Sequence, residues 1–183
     1  MNYESSADII AAVQAALNLD GASPASAPVP SASAKPGPRS DFWTLPGICW
    51  NARVATSFGD LPVQGLRRRD PVRTPTGGLS TVAFVDEVKL DAGFLDSFPD
   101  AQPITIQPGA LGNGRPTMPV TLSPHQRIAV GEARFASDMR MARDLLGRPG
   151  VTRSPAENVR YYIFHCGEPT SVMVEGVWIA TAP

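Results

Sequence analysis

Residues 103–130 restrict the fold of this chain more than any other segment. Their two ends, 104–107 and 120–122, alternate apolar and polar residues with the period of two that is typical of β-strands. Between the ends, PGALGNGRP (residues 108–116) carries three glycines, which permit positive φ, and two prolines, which fix φ. The segment therefore predicts two short strands joined by one defined, irregular loop, and it disfavours a helix.

The amino-terminal part of the chain has a different composition. Residues 21–40 are almost entirely alanine, proline, serine and glycine, which cannot build a core, and they predict a disordered linker. Residues 5–19 place apolar side chains at helical spacing and predict a short amphipathic helix. This helix would dock on the domain, fray, or bind a protein partner. The 183 residues thus divide into a tail, residues 1–40, and one domain, residues 41–183.

The charge balance excludes several partners. With 43% hydrophobic residues and a net charge of −1, nothing directs the chain to nucleic acid or to a membrane surface. No apolar run approaches the roughly 20 residues that span a bilayer, and the amino terminus lacks a conventional secretion signal. A cytoplasmic location is therefore expected, with export by a route that needs no such signal as the alternative. The oligomeric state is left open by the sequence.

The two cysteines, Cys49 and Cys166, are too few for a disulfide framework and are expected to be free thiols. A zinc site would need a set of nearby Cys and His ligands. His165 and Cys166 are neighbours, which face opposite sides of a strand, and the chain contains no C-x-x-C pair. We therefore predict neither a metal nor a cofactor.

Short alternating runs between glycine and proline turns predict an all-β domain. We expect single strands at residues 80–90, 159–164 and 172–179, the last of them central enough to bury Trp178. Residues 135–146 space their apolar side chains by three and four, which predicts one short helix that ends at Gly147. Residues 95–100 are expected to form a connecting loop.

Three stretches resemble the Hedgehog/intein (Hint) domain, in the form common in bacterial proteins. The first is GALGNGRP, followed by a Ser-Pro-x-x-Arg corner at residues 123–127. Residues 59–74 are similar to the family's G-x-x-P-V-E-x-L-R-x-G-D-x-V-x-T, and Tyr161-Tyr162 with residues 175–178 resemble its closing Y-Y…E-G-L-W. The resemblance covers roughly residues 43–178 and implies a Hint-like all-β fold of short strands with one small helical insertion.

The resemblance also implies a reaction. In active members, a cysteine at the head of the first strand attacks the preceding carbonyl to give a thioester, and histidines protonate the departing amide nitrogen. The family's opening reads C-F-x-x-G-T. An ungapped count back from Val54 places Gly47 at the cysteine, whereas a two-residue contraction places Cys49 there, and both alignments are kept.

The family's histidine positions carry other residues. Its S-P-x-H-R corner is Ser123-Pro124-His125-Gln126-Arg127 here, so the histidine has moved by one position. Near the end of the domain, Ile163 and Pro169 replace two further histidines. His165 lies two positions from Ile163 and would face the same side of a strand.

The sequence therefore predicts a Hint-family autoprocessing domain with substituted acid–base residues that is weak or inactive in self-cleavage. Two alternatives stay open. One is cysteine-dependent autoproteolysis at Cys49, with Ser123, His125 and His165 as the other candidate residues. The second is a non-enzymatic adaptor that binds a protein partner through the amino-terminal helix.

Overall fold

The computed structural model describes residues 43–181, except the side chain of Ala136. The predicted amphipathic helix and linker therefore lie outside the described residues. The described strands, in chain order, are β1 (Ile48–Cys49), β2 (Arg53–Thr56), β3 (Gly59–Pro62), β4 (Pro71–Arg73), β5 (Leu79–Thr81), β6 (Phe84–Leu90), β7 (Ile104–Ile106), β8 (Val120–Leu122), β9 (Arg127–Ile128), β10 (Arg140–Met141), β11 (Val151–Arg153), β12 (Val159–His165), β13 (Thr170–Val174) and β14 (Val177–Thr181).

These strands form two sheets. The first has six strands in the order β11-β7-β8-β1-β12-β6. The second has eight, in the order β10-β9-β14-β13-β2-β4-β5, with β3 paired to β2. One short α-helix, α1 (Ala92–Ser97), and 3-10 turns at Val63–Gly65, Pro99–Ala101, Ala136–Asp138 and Ala142–Leu145 complete the described part. The predicted all-β fold with a small helical element is confirmed.

The central segment folds as its alternation predicts. β7 and β8 pair antiparallel, with Ile104 opposite Leu122 and Ile106 opposite Val120, and all four side chains are buried. The loop between them is closed by backbone hydrogen bonds, among them one of 2.9 Å from the Leu111 N–H to the Arg115 carbonyl. Because a shift of one residue would turn every apolar side chain outward, this alternation fixes the register.

Two predicted strands are each divided in the structure. Residues 80–90 form β5 in the second sheet and β6 in the first, because the chain changes sheets at Val82 and Ala83. The Val82 N–H donates to the Asp70 carbonyl and the Ala83 N–H to the His165 carbonyl. Residues 172–179 form the hairpin β13–β14, whose turn residues Glu175 and Gly176 both have positive φ, 47° and 77°.

Two positive φ values in succession are the geometry of a tight hairpin turn. Glutamate rarely adopts a positive φ. The sequence therefore predicted one continuous strand here instead of a turn. Trp178 on β14 is 8% exposed and lies between β13 and β9, which confirms its predicted burial.

The predicted helix at residues 135–146 is wrong. This segment contains two 3-10 turns with β10 between them, and Arg140 and Met141 pair with β9. The apolar spacing is real, since Met139, Ala142 and Leu145 are buried, but strand pairing supplies the backbone hydrogen bonds instead.

The α-helix overlaps residues 95–100, where a loop was expected, and begins three residues before them. Its first turn is capped by Asp91, whose carboxylate accepts a 2.8 Å hydrogen bond from the Phe94 N–H. Leu95 is its buried residue. Among residues 43–181, no helix is long and apolar enough to cross a membrane.

Two hydrophobic clusters lie on opposite faces of β12. The larger contains Phe164 and the inward side chains of both sheets. The smaller, called the second cluster here, contains Val159 and Tyr161. Alternate residues of a strand point to opposite faces, so β12 serves both clusters. The remaining buried members of the second cluster are Trp43, Leu90, Leu95 and Ala101.

Candidate active site

Gly47 immediately precedes β1 and is the position where an ungapped alignment expects the cysteine. A Cβ atom built on Gly47 would lie 2.8 Å from the Tyr161 Cβ atom. Such a distance is shorter than real Cβ contacts allow, and the neighbouring atom lies near the backbone of β12, which cannot move freely. The local packing therefore requires glycine at residue 47.

Ser123 follows β8 and is completely buried. Its hydroxyl donates a 2.6 Å hydrogen bond to the Leu45 carbonyl and accepts a 3.0 Å hydrogen bond from the Trp43 indole. Its backbone N–H donates to the Gly47 carbonyl at 2.9 Å. Ser123 thus holds the segment that leads into β1, and its hydroxyl is already engaged in that role.

Gln126 occupies the position of the family's histidine at the corner. It is 4% exposed, and its side-chain nitrogen donates to the Ala180 carbonyl at 2.8 Å and to the Arg127 carbonyl at 3.2 Å. An amide donates and accepts hydrogen bonds but does not titrate. Gln126 therefore joins the corner to β14, and it cannot supply a proton.

Of the three positions where the resemblance expects histidines, two lie together, whereas Pro169 lines a separate cleft. Gln126 and Ile163 line one small cavity together with Pro46 and Ile48, the residues on either side of Gly47. Ala180 and Thr181 of β14 also line it. The cavity has a volume of about 20 Å³, close to the space that a single water molecule needs. The lining of this cavity contains no His, Cys, Asp, Glu or Lys side chain.

Cys49 lies on β1 opposite Tyr161 and does not line this cavity. Its half-buried side chain packs against the second cluster. Burial raises the pKa of the Cys49 thiol to about 12, because the thiolate would lose its solvation there. At pH 7 the thiol is therefore neutral and a weak nucleophile.

His165 lies apart from Cys49. His165 is four residues beyond Tyr161 on β12, which corresponds to about 13 Å along a strand. Its ring stacks on Phe84 at a centroid distance of 5.1 Å, and its Nδ1 accepts a hydrogen bond from the Gly167 N–H. The structure does not bring His165 and Cys49 into one site.

His125 is half-buried beside Arg143, with 3.4 Å between His125 Nε2 and the nearest guanidinium nitrogen. Burial, followed by the charge of Arg143, lowers the pKa of His125. Its backbone N–H approaches the Ser123 hydroxyl at 3.4 Å, so these two candidates are neighbours through the backbone. His125 does not line the cavity beside Gly47.

Sequence reasoning placed Gly47, Gln126 and Ile163 at the family's reactive positions but did not foresee what surrounds them. It missed the contact between Gly47 and Tyr161 and the engagement of Ser123 by Trp43 and Leu45. Neither has a local sequence signal, because each joins segments far apart in the chain. In residues 43–181, no group of three or more His, Cys, Asp or Glu side chains is arranged to hold a metal ion.

A family model described as the Hint domain matches residues 46–182. Among solved structures, the DnaB intein from Synechocystis sp. PCC 6803 is similar with a TM-score of 0.51 and 7% identity over 76% of this chain and 100% of that chain. The gp41-1 intein gives a TM-score of 0.48 and 11% identity over 76% of this chain and 99% of its own. No curated protein matched the sequence. At these identities the structural similarity is one of fold.

Proposed function

The chain belongs to the Hint domain family, and from this membership we propose that it is an autoprocessing-type domain that has lost self-cleavage. The fold is that of such a domain. The proposal concerns the chemistry. It rests on the residues that stand where the thioester would form.

One observation carries the proposal, namely the contact between Gly47 and Tyr161. Glycine has no side chain that can attack a carbonyl, and the 2.8 Å approach to Tyr161 leaves no room for a cysteine there. Acyl transfer through a thioester requires a thiol at that position. The alignment without a gap therefore leaves the domain without a nucleophile.

The proton donor is missing at the same place. The amide nitrogen of a cleaved peptide must be protonated as it departs, and loss of a positioned general acid costs roughly 10²–10⁴-fold in rate. Gln126 and Ile163 line the cavity in place of histidines. Neither side chain can protonate a leaving group.

The surroundings of Cys49 disfavour its use as the alternative nucleophile. Cleavage there would have to break the Ile48–Cys49 peptide inside β1, which lies between β8 and β12. Ile48 pairs with residues on both neighbouring strands, so this peptide belongs to a regular ladder. With the Cys49 pKa at about 12, only about 10⁻⁵ of the thiol is ionised at pH 7.

Intact-mass measurement tests the proposal. Purified full-length protein is kept for a day at pH 7 to 8.5, with and without dithiothreitol or hydroxylamine, both of which intercept a thioester. We expect the mass to stay that of the full chain. Cys49→Ala and Cys166→Ala serve as a matched pair of thiol variants. A fragment that begins at Cys49, disappears in Cys49→Ala and persists in Cys166→Ala would establish active autoproteolysis instead.

A further inference from the structure

Residues 43–47, called the entry segment here, precede β1 and are built into the domain. Trp43 is 8% exposed. Its ring lies 5.7 Å from the Tyr161 ring and 5.9 Å, edge to face, from the Phe94 ring. Large aromatic rings in this arrangement contribute strongly to a core. Trp43 therefore completes the second cluster.

Three hydrogen bonds that involve Ser123 hold the same segment: Ser123 accepts one and donates two. Its hydroxyl accepts from the Trp43 indole and donates to the Leu45 carbonyl, and its N–H donates to the Gly47 carbonyl. These three partners span the whole entry segment. The Ser123 carbonyl in turn accepts from the Gln126 N–H at 3.0 Å, so Ser123 is itself fixed by the corner after β8.

We propose that the domain permanently retains the polypeptide on the amino-terminal side of Gly47, with Trp43 as the anchor and Ser123 as the residue that positions it. In an active Hint domain, the acyl group transferred to the cysteine belongs to this upstream side of the chain. Here that side supplies a core tryptophan and fills the hydrogen-bonding capacity of a buried serine. The polypeptide that precedes Trp43 therefore stays attached to the domain.

Retention rests on the proposed function in one respect, since a chain that does not cleave itself also keeps its upstream part covalently. The contacts of Trp43 and Ser123 add a second, non-covalent attachment. A cut at the Ile48–Cys49 bond would still leave the entry segment bound to the second cluster and to Ser123. The two proposals can therefore fail separately.

Hydrogen exchange of the tryptophan indole N–H groups tests retention in the full chain. The described tryptophans provide internal references, because Trp50 is 65% exposed whereas Trp43 and Trp178 are buried. We expect the Trp43 indole N–H to exchange at least about 100-fold more slowly than that of Trp50, because its exchange requires local opening. Exchange of Trp43 at the rate of Trp50 would overturn the proposal without any variant.

Ser123→Ala removes the acceptor of the Trp43 indole, and Ser171→Ala is the matched control. Ser171 is also buried, 3% exposed, but lies on β13 in the other sheet. We expect Ser123→Ala to accelerate Trp43 exchange at least about tenfold and to leave Trp178 unchanged, whereas Ser171→Ala leaves Trp43 unchanged. Equal effects of the two variants on Trp43 would contradict the role of Ser123.

The intact mass of the same samples separates the two proposals. A cleaved chain whose Trp43 indole remains protected would overturn the loss of self-cleavage and support retention. An uncleaved chain whose Trp43 indole exchanges freely would support the loss of self-cleavage and overturn retention.

Discussion

The two ends of β12 differ in the burial of their side chains. The end at Tyr161 is called the closed end here, and the end at His165 is called the open end. At the closed end, Tyr161 is completely buried against Gly47, and its hydroxyl donates to the Ala101 carbonyl at 2.8 Å. At the open end, His165 and Cys166 are half-buried, and Cys166 lines a cleft of about 470 Å³ together with Glu168. The cavity beside Gly47 is lined by Tyr162, Ile163 and Phe164, which lie between these two ends.

This difference shows that the reactive residue types of the described part do not share one position. The cavity beside Gly47 is lined by none of His165, Cys166 and Glu168. The one thiol near the closed end, Cys49, is kept neutral by burial. A count of histidines and cysteines therefore does not locate a reactive site.

The largest expected effect comes from Tyr161→Ala at the closed end. Removing a buried aromatic ring costs about 3–5 kcal/mol of unfolding free energy, and the Ala101 carbonyl also loses its donor. His165→Ala at the open end is the matched variant on the same strand, with a cost below about 1 kcal/mol. Urea denaturation of both variants measures the difference. Equal losses of unfolding free energy in the two variants would contradict the difference between the two ends of β12.

Gly47→Ala is expected to destabilise the domain by about 1–3 kcal/mol, because the new methyl group would overpack the contact with Tyr161. Gly65→Ala is its control, since a Cβ atom there would meet Leu61 at an ordinary distance of 3.6 Å. Thermal unfolding of the two variants compares them directly. If Gly47→Ala were as stable as Gly65→Ala, the space beside Tyr161 would be larger than the structure gives.

Folding stability is expected to decrease at alkaline pH because of Cys49. Its pKa is raised in the folded protein from the usual 9.0 to about 12, so above pH 9 the unfolded thiol ionises while the folded thiol stays protonated. Folding stability should then decrease with rising pH by at most about 1.4 kcal/mol per pH unit between these values. Cys49→Ala should flatten this decline more than Cys166→Ala does. Denaturant titrations from pH 8 to 11 measure the slopes.

His125 is expected to have the smallest effect, in mild acid. Its pKa is lowered by burial and by Arg143, so the unfolded protein binds a proton at a higher pH than the folded protein does. The stability it contributes is present above its unfolded pKa, about 6.5, and is lost as pH falls below that value. His125→Gln should therefore lessen the decrease in melting temperature between pH 7 and 5. An unchanged decrease would show that His125 titrates freely.

The sequence predicted many of the strands and the family, while the roles of the candidate site residues stay predictions. Alternation located β7 and β8, and the order of the three motifs located the Hint domain. Both succeed because strand period and motif order are local properties of the chain. The same reasoning failed at residues 135–146, where the apolar spacing reported burial correctly but strand pairing with β9 determined the backbone.

The contacts that decide the chemistry could not be read from local patterns. Tyr161 and Gly47 are more than a hundred residues apart, as are the paired residues of β1 and β12. The raised pKa of Cys49 likewise depends on the cluster around it rather than on its sequence neighbours. Only the assembled sheet brings these groups together.

The pairing of the earliest strands with the latest ones also governs how the chain acquires its structure on the ribosome. β1 pairs with Tyr161 and Tyr162, and Val54 of β2 pairs with Val174, so each strand must await a partner made on the order of a hundred residues later. Contacts between such distant segments slow folding. Until β12 and β13 emerge, the amino-terminal strands present unpaired edges, which chaperones recognise and which favour aggregation. The two sheets can therefore be completed only after the β13–β14 hairpin has been synthesised.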